Sequence, residues 1–291
     1  LVLIALAFIS LRAFCAGPET EKLCLWRVQH SAATVYLLGS VHVMMPGDYP
    51  LPATIEAAFG DADTVVVEVD MDQVDPAEMT ALTRELGFFG PDQQLVDVLS
   101  ASTNAKLKDY LTTEGLPPDR FEQMRPWLVS ITLGASALSA LGFSDEYGID
   151  EHFLRAARRD GKRVAQLETF REQIQLLASD PLPVQDVALR ATLDELDGMK
   201  EEVDELMAAW RAGDADRMYS LSMAPVDEYP ELEDQMRRLI DERNKKMAEK
   251  IRGYLGREGT WMVIVGALHM GGEHGILRLL SQDFTITQLS R

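Results

Sequence analysis

Hydrophobic and polar positions alternate in a few distinct patterns along this chain. Residues 23–29 (LCLWRVQ) and 34–38 (TVYLL) are β-rich runs separated by His-Ser-Ala-Ala, a pattern that predicts a hairpin. The Pro/Gly loop MMPGDYPLP comes next, then a short helix at 53–59. TVVVEVD (64–70) is a valine run of the kind that forms a buried strand. From about Pro76 to Ala140 the period is helical, and 120–141 is apolar all round, which predicts a buried helix. Residues 146–161 predict a helix stopped by Gly161, 162–168 another strand, and TFREQIQLLAS a further helix. From Val184 to Ile251 the pattern is helical and strongly charged, with breaks near Gly213, Pro225 and Pro230. Glu201, Glu202, Asp204 and Glu205 read there as a solvated face. The chain closes with a strand and turn at 260–269, a helix at 273–281 and a strand at 284–289. This order predicts an α/β (α+β) fold: a mixed central β-sheet flanked by helices, with a large helical insertion.

The first eleven residues, LVLIALAFISL, are too few for a comfortable membrane span of roughly 20 residues. They match the apolar core of a secretory leader, with small residues behind it. Residues 1–17 are therefore expected to be a signal peptide or an N-terminal membrane segment, and 18–291 a single domain. That predicts an exported protein, periplasmic or membrane-anchored. With 47 acidic against 28 basic residues the formal net charge is −19, which repels nucleic acid and anionic lipid surfaces. Cys15 and Cys24 are the two cysteines. They provide neither a disulfide framework nor a Cys-rich zinc site.

One chemical pattern occurs twice. VYLLGSVH and WMVIVGALH each end an apolar strand with Gly, two residues and His, giving Gly39 with His42 and Gly266 with His269. Glycine permits a sharp turn or a close approach past a strand end. In open α/β sheets that edge is where ligands bind. One Gly-x-x-His occurs by chance; two, each closing a strong strand, would bring two imidazoles together as ligands for a divalent transition metal. Glu68 lies within the valine run. Either the strand ends at Val67 and Glu68 meets water, or a buried carboxylate there is paired, metal-bound or a general base. Two histidines and a carboxylate make a workable shell for a catalytic divalent ion.

A late helix at 231–255 carries Ile240, Asn244, Met247, Ile251 and Leu255 on one stripe, with Arg243 at its border. Arg243 could hold a carboxylate of the protein or stabilise an oxyanion. Asp150 reads first as a cap for the helix behind Gly148. His152 lies one turn into that helix, either in the same cleft or on the surface, and Glu168 ends its strand much as Glu68 lies in its own, which makes it a second candidate for the site. His30 and His274 read as incidental, and Ser40 as a turn residue. No Gly-x-Ser-x-Gly elbow, Walker loop, dinucleotide turn or His-Glu-x-x-His occurs.

YLLGSVHVMMPGDYPLP followed by ADTVVVEVD resembles the N-terminal signature of the TraB/GumN family. YGIDEHFLRAARRDGKRVAQLET, AWRAGD, DERNKKMAEKI and VIVGALHMGGEHGILRLL resemble later blocks in the same order, from about Leu23 to Leu289. Gln282-Asp283-Phe284 departs from the family's usual Gly and aromatic. The family includes membrane-anchored animal proteases that trim secreted signalling proteins, and it is distantly similar to erythromycin esterases. The resemblance implies a metal-dependent hydrolase, of peptidase type, acting on an exported or surface peptide or a small-molecule substrate. It implies His42, His269 and Glu68 as metal and catalytic residues with Mn, Co or Zn, Gly39 and Gly266 forming the turns, and Arg243 and Asn244 as the family's Arg-Asn pair. A non-catalytic metal, haem or peptide carrier, or a protein that sequesters a signalling peptide, is the alternative.

Overall fold

A computed structural model describes residues 21–291, so the expectations for the leader and Cys15 lie outside the described residues. The expected mixed sheet forms. Its strands are β1 (Lys22–His30), β2 (Ala33–Ser40), β3 (Thr64–Val67), β4 (Arg163–Gln166), β5 (Gly259–Gly266) and β6 (Ile286–Ser290), ordered β4-β3-β5-β2-β1-β6. Strands β4, β3, β5 and β2 run parallel, while β1 is antiparallel to both β2 and β6. All four residues of β3 are buried, as are the last six of β5. That is why both read as unbroken apolar runs rather than as an alternation.

Parallel neighbours need long crossovers, and here the crossovers hold most of the helical mass. Between β3 and β4 lie the helices Pro76–Gly87, Ala101–Thr113, Pro126–Ala140 and Ile149–Arg159. The apolar stretch at 120–141 becomes helical only from Pro126, where proline suits a first turn, and Trp127, Val129, Leu133 and Leu138 bury against the core. Between β4 and β5 run Phe170–Leu177, Leu182–Leu196, Met199–Arg211 and Ala215–Met223, followed by a broken segment. That segment includes a π-helical turn at Arg238–Glu242 and ends in the helix Arg243–Leu255. Breaks fall at Gly213, Pro225 and Pro230, as the sequence predicts. Ile240, Asn244, Met247, Ile251 and Leu255 are all buried along their stripe. Among the described residues no helix is long and apolar enough to cross a membrane.

One expectation for the charged region fails. Glu202 does not join a solvated face but is 4% exposed, beside the buried Val203, with one carboxylate oxygen lacking a hydrogen-bond partner. Burial, then the charges of Glu201 and Glu205, push its carboxyl up to about 7. The helix Met199–Arg211 turns this residue inward because Val203, Met207 and Trp210 set its buried face.

Candidate functional site

Register brings the two turns together. Strands β2 and β5 pair in parallel from Ala33–Gly259 through Ser40–Gly266, so both Gly-x-x-His segments leave the sheet at one edge. On the other side of β5, Val67 pairs with Ile264, and Glu68 leaves β3 at the same level. A methyl group on Gly266 would lie 3.3 Å from His42 Nε2, 3.4 Å from Glu68 Oε1 and 3.5 Å from His269 Cδ2. The absent side chain of Gly266 is therefore the space on which the three groups converge. Gly39 is required for packing instead, since a Cβ there would stand 2.9 Å from that of Ala267.

His42 is oriented from below. Its Nδ1 lies 2.8 Å from Asp150 Oδ2, and Ser40 Oγ donates to Asp150 Oδ1 at 2.9 Å. Asp150 is thus not the helix cap suggested by its position. Gly148 stands at the N-cap, because any Cβ there would meet the His42 carbonyl oxygen at 2.3 Å. Close approach lets Ile149 N–H donate to Val41 O at 3.1 Å and swings Asp150 under the imidazole. With Nδ1–H given to Asp150, His42 Nε2 faces the space over Gly266. The Asp150 charge raises the imidazole to about 9, against the cost of desolvation. Water reaches 63% of this side chain and screens the pair.

His269 has the opposite environment, at 3% exposed. Asn244 Nδ2 donates to the His274 carbonyl at 3.0 Å, which turns Asn244 Oδ1 toward His269 Nδ1 at 2.6 Å. Nδ1 must then carry the proton, leaving a lone pair on Nε2. Burial is the main cause that lowers His269 to about 3, and it stays neutral near pH 7. The sequence pattern marks His274 as incidental; its imidazole is not used here, but its carbonyl is.

Arg243 closes the arrangement just after the π-helical turn, a local widening often found at functional sites. Its Nε donates to Glu168 Oε1 at 3.0 Å, and Nη2 to Glu68 Oε2 at 2.5 Å and Glu168 Oε2 at 2.7 Å. Nη1 approaches the Leu239 carbonyl and His269 Nε2, each at 3.2 Å. Every N–H of the guanidinium therefore has an acceptor within the protein. Of its two readings, this geometry supports the one that holds protein carboxylates, and leaves no free donor for an oxyanion.

Strand β3 does end at Val67, yet Glu68 meets the protein interior rather than water, at 7% exposed. Gly266 N–H donates to Oε1 at 2.7 Å. Burial opposes its ionisation; His269 when charged, Arg243, His42 and the Gly266 N–H overcome that and hold the carboxyl down at about 2. Glu168 sits alongside, its N–H bonded to the Glu68 carbonyl at 2.8 Å. Gln173 was not marked by any sequence pattern. It bridges the two carboxylates, at 3.2 Å from Glu68 Oε2 and 3.1 Å from Glu168 Oε2, from a helix whose spacing says only that it is amphipathic.

Among the described residues no three His, Cys, Asp or Glu groups stand so as to hold a metal ion. The reason is visible in the bonds. Arg243 takes the Nε2 lone pair of His269 and one oxygen of Glu68, while Gly266 takes the other oxygen. The expected set of His42, His269 and Glu68 is thus gathered around Gly266, but His269 and Glu68 are turned toward a guanidinium. His152 lies outside the cleft, with Nε2 3.4 Å from Glu56 Oε1 and its ring against Tyr49. Cys24 is buried in β1, and desolvation pushes its thiol up to about 12, which makes it unreactive.

Beside the turns opens a cavity of about 480 Å³, which the cleft residues line together with helices of the two crossovers. A family model described as the TraB/PrgY/gumN family matches residues 24–288. The uncharacterized protein YbaP of Escherichia coli (strain K12) is 26% identical over 253 residues, covering 84% of this chain and 87% of that protein. The protein of that name from Shigella flexneri matches equally. A metalloprotease TIKI homolog of Amphimedon queenslandica is 21% identical, covering 95% of this chain but 63% of that protein. No solved structure matches.

Proposed function

This chain belongs to the TraB/PrgY/gumN family, and from that premise we propose that it is a hydrolase of a peptide or related carbonyl bond, with His42 as its general base. The observation that carries this reading is the convergence of His42 Nε2 and Glu68 Oε1 on the space over Gly266. Of the groups around that space, His42 Nε2 alone combines basicity with a lone pair facing the opening. Glu68, held down at about 2 with both oxygens hydrogen-bonded, is a far weaker base. A water over Gly266 gives a proton to His42 Nε2 as its oxygen bonds to the scissile carbonyl carbon. The imidazolium, steadied by Asp150, then returns that proton to the leaving nitrogen or oxygen as the bond breaks. Glu68 and Arg243 fix the charge around this space, and His269 and Asn244 brace the second turn.

A divalent ion enters through the relative named a metalloprotease. Mn, Co or Zn is the class implied; His42, Glu68 and His269 are the side chains that would hold it, and the ion would have to displace Arg243 from Glu68 and His269. In the arrangement described they do not fit three-ligand binding, so no step is derived through a metal. The sequence pattern of residues 1–17, expected to be a signal peptide or N-terminal membrane segment, supports an exported or membrane-anchored setting for this activity.

The test is turnover of peptide and ester libraries by wild type, His42→Ala and Glu68→Gln, with folding checked by circular dichroism. Loss of roughly 100-fold or more in His42→Ala supports the reading; undiminished turnover in that variant refutes it. The cavity also favours a second reading, a carrier that retains a peptide or other ligand without chemistry. Stoichiometric binding with no turnover of any library member would select it.

A further inference from the structure

We propose that the cavity beside the Gly266 turn is a subsite for an unbranched hydrocarbon chain, so that the substrate is an acyl ester or acyl amide. This rests on the hydrolase reading and adds the chemistry of the group next to the scissile carbonyl.

The wall of the cavity divides by polarity. Its polar side chains are tied to one another: Glu68, Gln173, Arg243 and His269 by hydrogen bonds, and Ser40 and His42 through the shared Asp150. The rest of the wall is apolar and mostly aliphatic, as at Leu176, Val203, Met207, Met218, Met236 and Ile240. Ser222 is the polar side chain there among the described residues, and its hydroxyl is given to the Met218 carbonyl at 2.9 Å. A peptide backbone laid into this space would lose hydrogen bonds to water and find none in return, at a cost of about 1–3 kcal/mol for each stranded group. A hydrocarbon chain has no such groups to strand.

Size points the same way. A dry apolar cavity of roughly 150 Å³ accepts benzene, and the space here is about three times that. It exceeds what one amino-acid side chain would fill. Three of the named wall residues are methionines, unbranched and adaptable, which suits a flexible chain better than a rigid ring. They come from separate segments, Met207 from Met199–Arg211, Met218 from Ala215–Met223 and Met236 from Glu233–Arg237. The pocket is therefore a feature of how the helices assemble over the sheet edge.

The experiment uses the full chain and a series of N-acyl glycines, from N-acetyl through N-butanoyl and N-octanoyl to N-dodecanoyl. Binding is read by calorimetry and turnover by release of glycine. Each added methylene is expected to improve affinity, and kcat/KM where turnover occurs, by roughly threefold to fourfold until the cavity is full. Met207→Trp, and separately Leu176→Trp, should shift the preferred chain length downward. Binding that rises with length but without glycine release would sustain the subsite and refute the hydrolase reading. Glycine release that is flat with length would do the reverse. Neither binding nor release for any member would overturn the subsite.

Discussion

Asp150 Oδ2 meets His42 Nδ1 at 2.8 Å across 108 residues of sequence, and this bond aims the imidazole at the space over Gly266. Because the carboxylate favours the charged ring, His42 titrates above its ordinary value, toward about 9. A general base with that property is mostly protonated at neutral pH. The hydrolase reading therefore predicts kcat/KM that rises from neutral pH and levels near pH 9. In Asp150→Asn the plateau should move toward pH 6.5 and fall in height, by roughly 10-fold or more. A profile unchanged by this substitution would remove Asp150 from the mechanism. The same bond makes a stability contribution that is complete below about pH 6.5 and lost as pH rises through about 9.

Acid should act on the buried half of the site. His269 is held neutral, so the unfolded chain binds its proton first and stability falls as pH drops from about 6.5 toward 3. Glu68 is held ionised, so its contribution is present above pH 4.5 and lost toward about 2. Thermal melts across pH 7 to 3 should show a falling Tm, with a shallower slope in His269→Gln. Equal slopes would mean that His269 is not the group being titrated.

Arg243 joins two buried carboxylates that would otherwise repel. Arg243→Met should cost about 3–5 kcal/mol, read as a large drop in Tm. It also frees His269 Nε2 and Glu68 Oε2. Added Mn or Zn should then raise the Tm of the variant while leaving the wild type, with or without a chelator, unmoved. A wild-type Tm that falls on chelation would show that a metal displaces the guanidinium in solution.

Two glycine substitutions separate packing from chemistry. Gly266→Ala puts a methyl group among His42, Glu68 and His269, so activity should vanish with little change in Tm. Gly39→Ala presses on Ala267 Cβ and should destabilise the fold by about 1–3 kcal/mol. The prediction fails if both variants lose stability equally.

Glu202 has a buried carboxyl raised to about 7, so its ionisation weakens the fold as pH climbs from 4.5 to 7. Glu202→Gln should therefore stabilise the protein at pH 8, by on the order of 2–3 kcal/mol, and have little effect at pH 4.5. The pair of melts at the two pH values checks it.

Strand and turn chemistry was local, and the sequence by itself determined it. Apolar β-branched runs specified strands β2, β3 and β5, and a glycine directly after the runs of β2 and β5, with a histidine three residues on, marked Gly39 and Gly266 with His42 and His269. The stripe through Asn244 already required a buried partner for that amide. What the tertiary structure alone decided was direction and partnership. Parallel register set both turns at one edge; the close approach at Gly148 turned Asp150 from a helix cap into the support of His42. Helix rotation aimed Gln173 at the carboxylates and buried Glu202, and the π-helical turn committed Arg243 to Glu68, Glu168 and His269. These outcomes depend on contacts between separate elements, such as His42 with Asp150 and Arg243 with Glu68, and spacing along a chain carries no information about which face of a distant helix a side chain will meet.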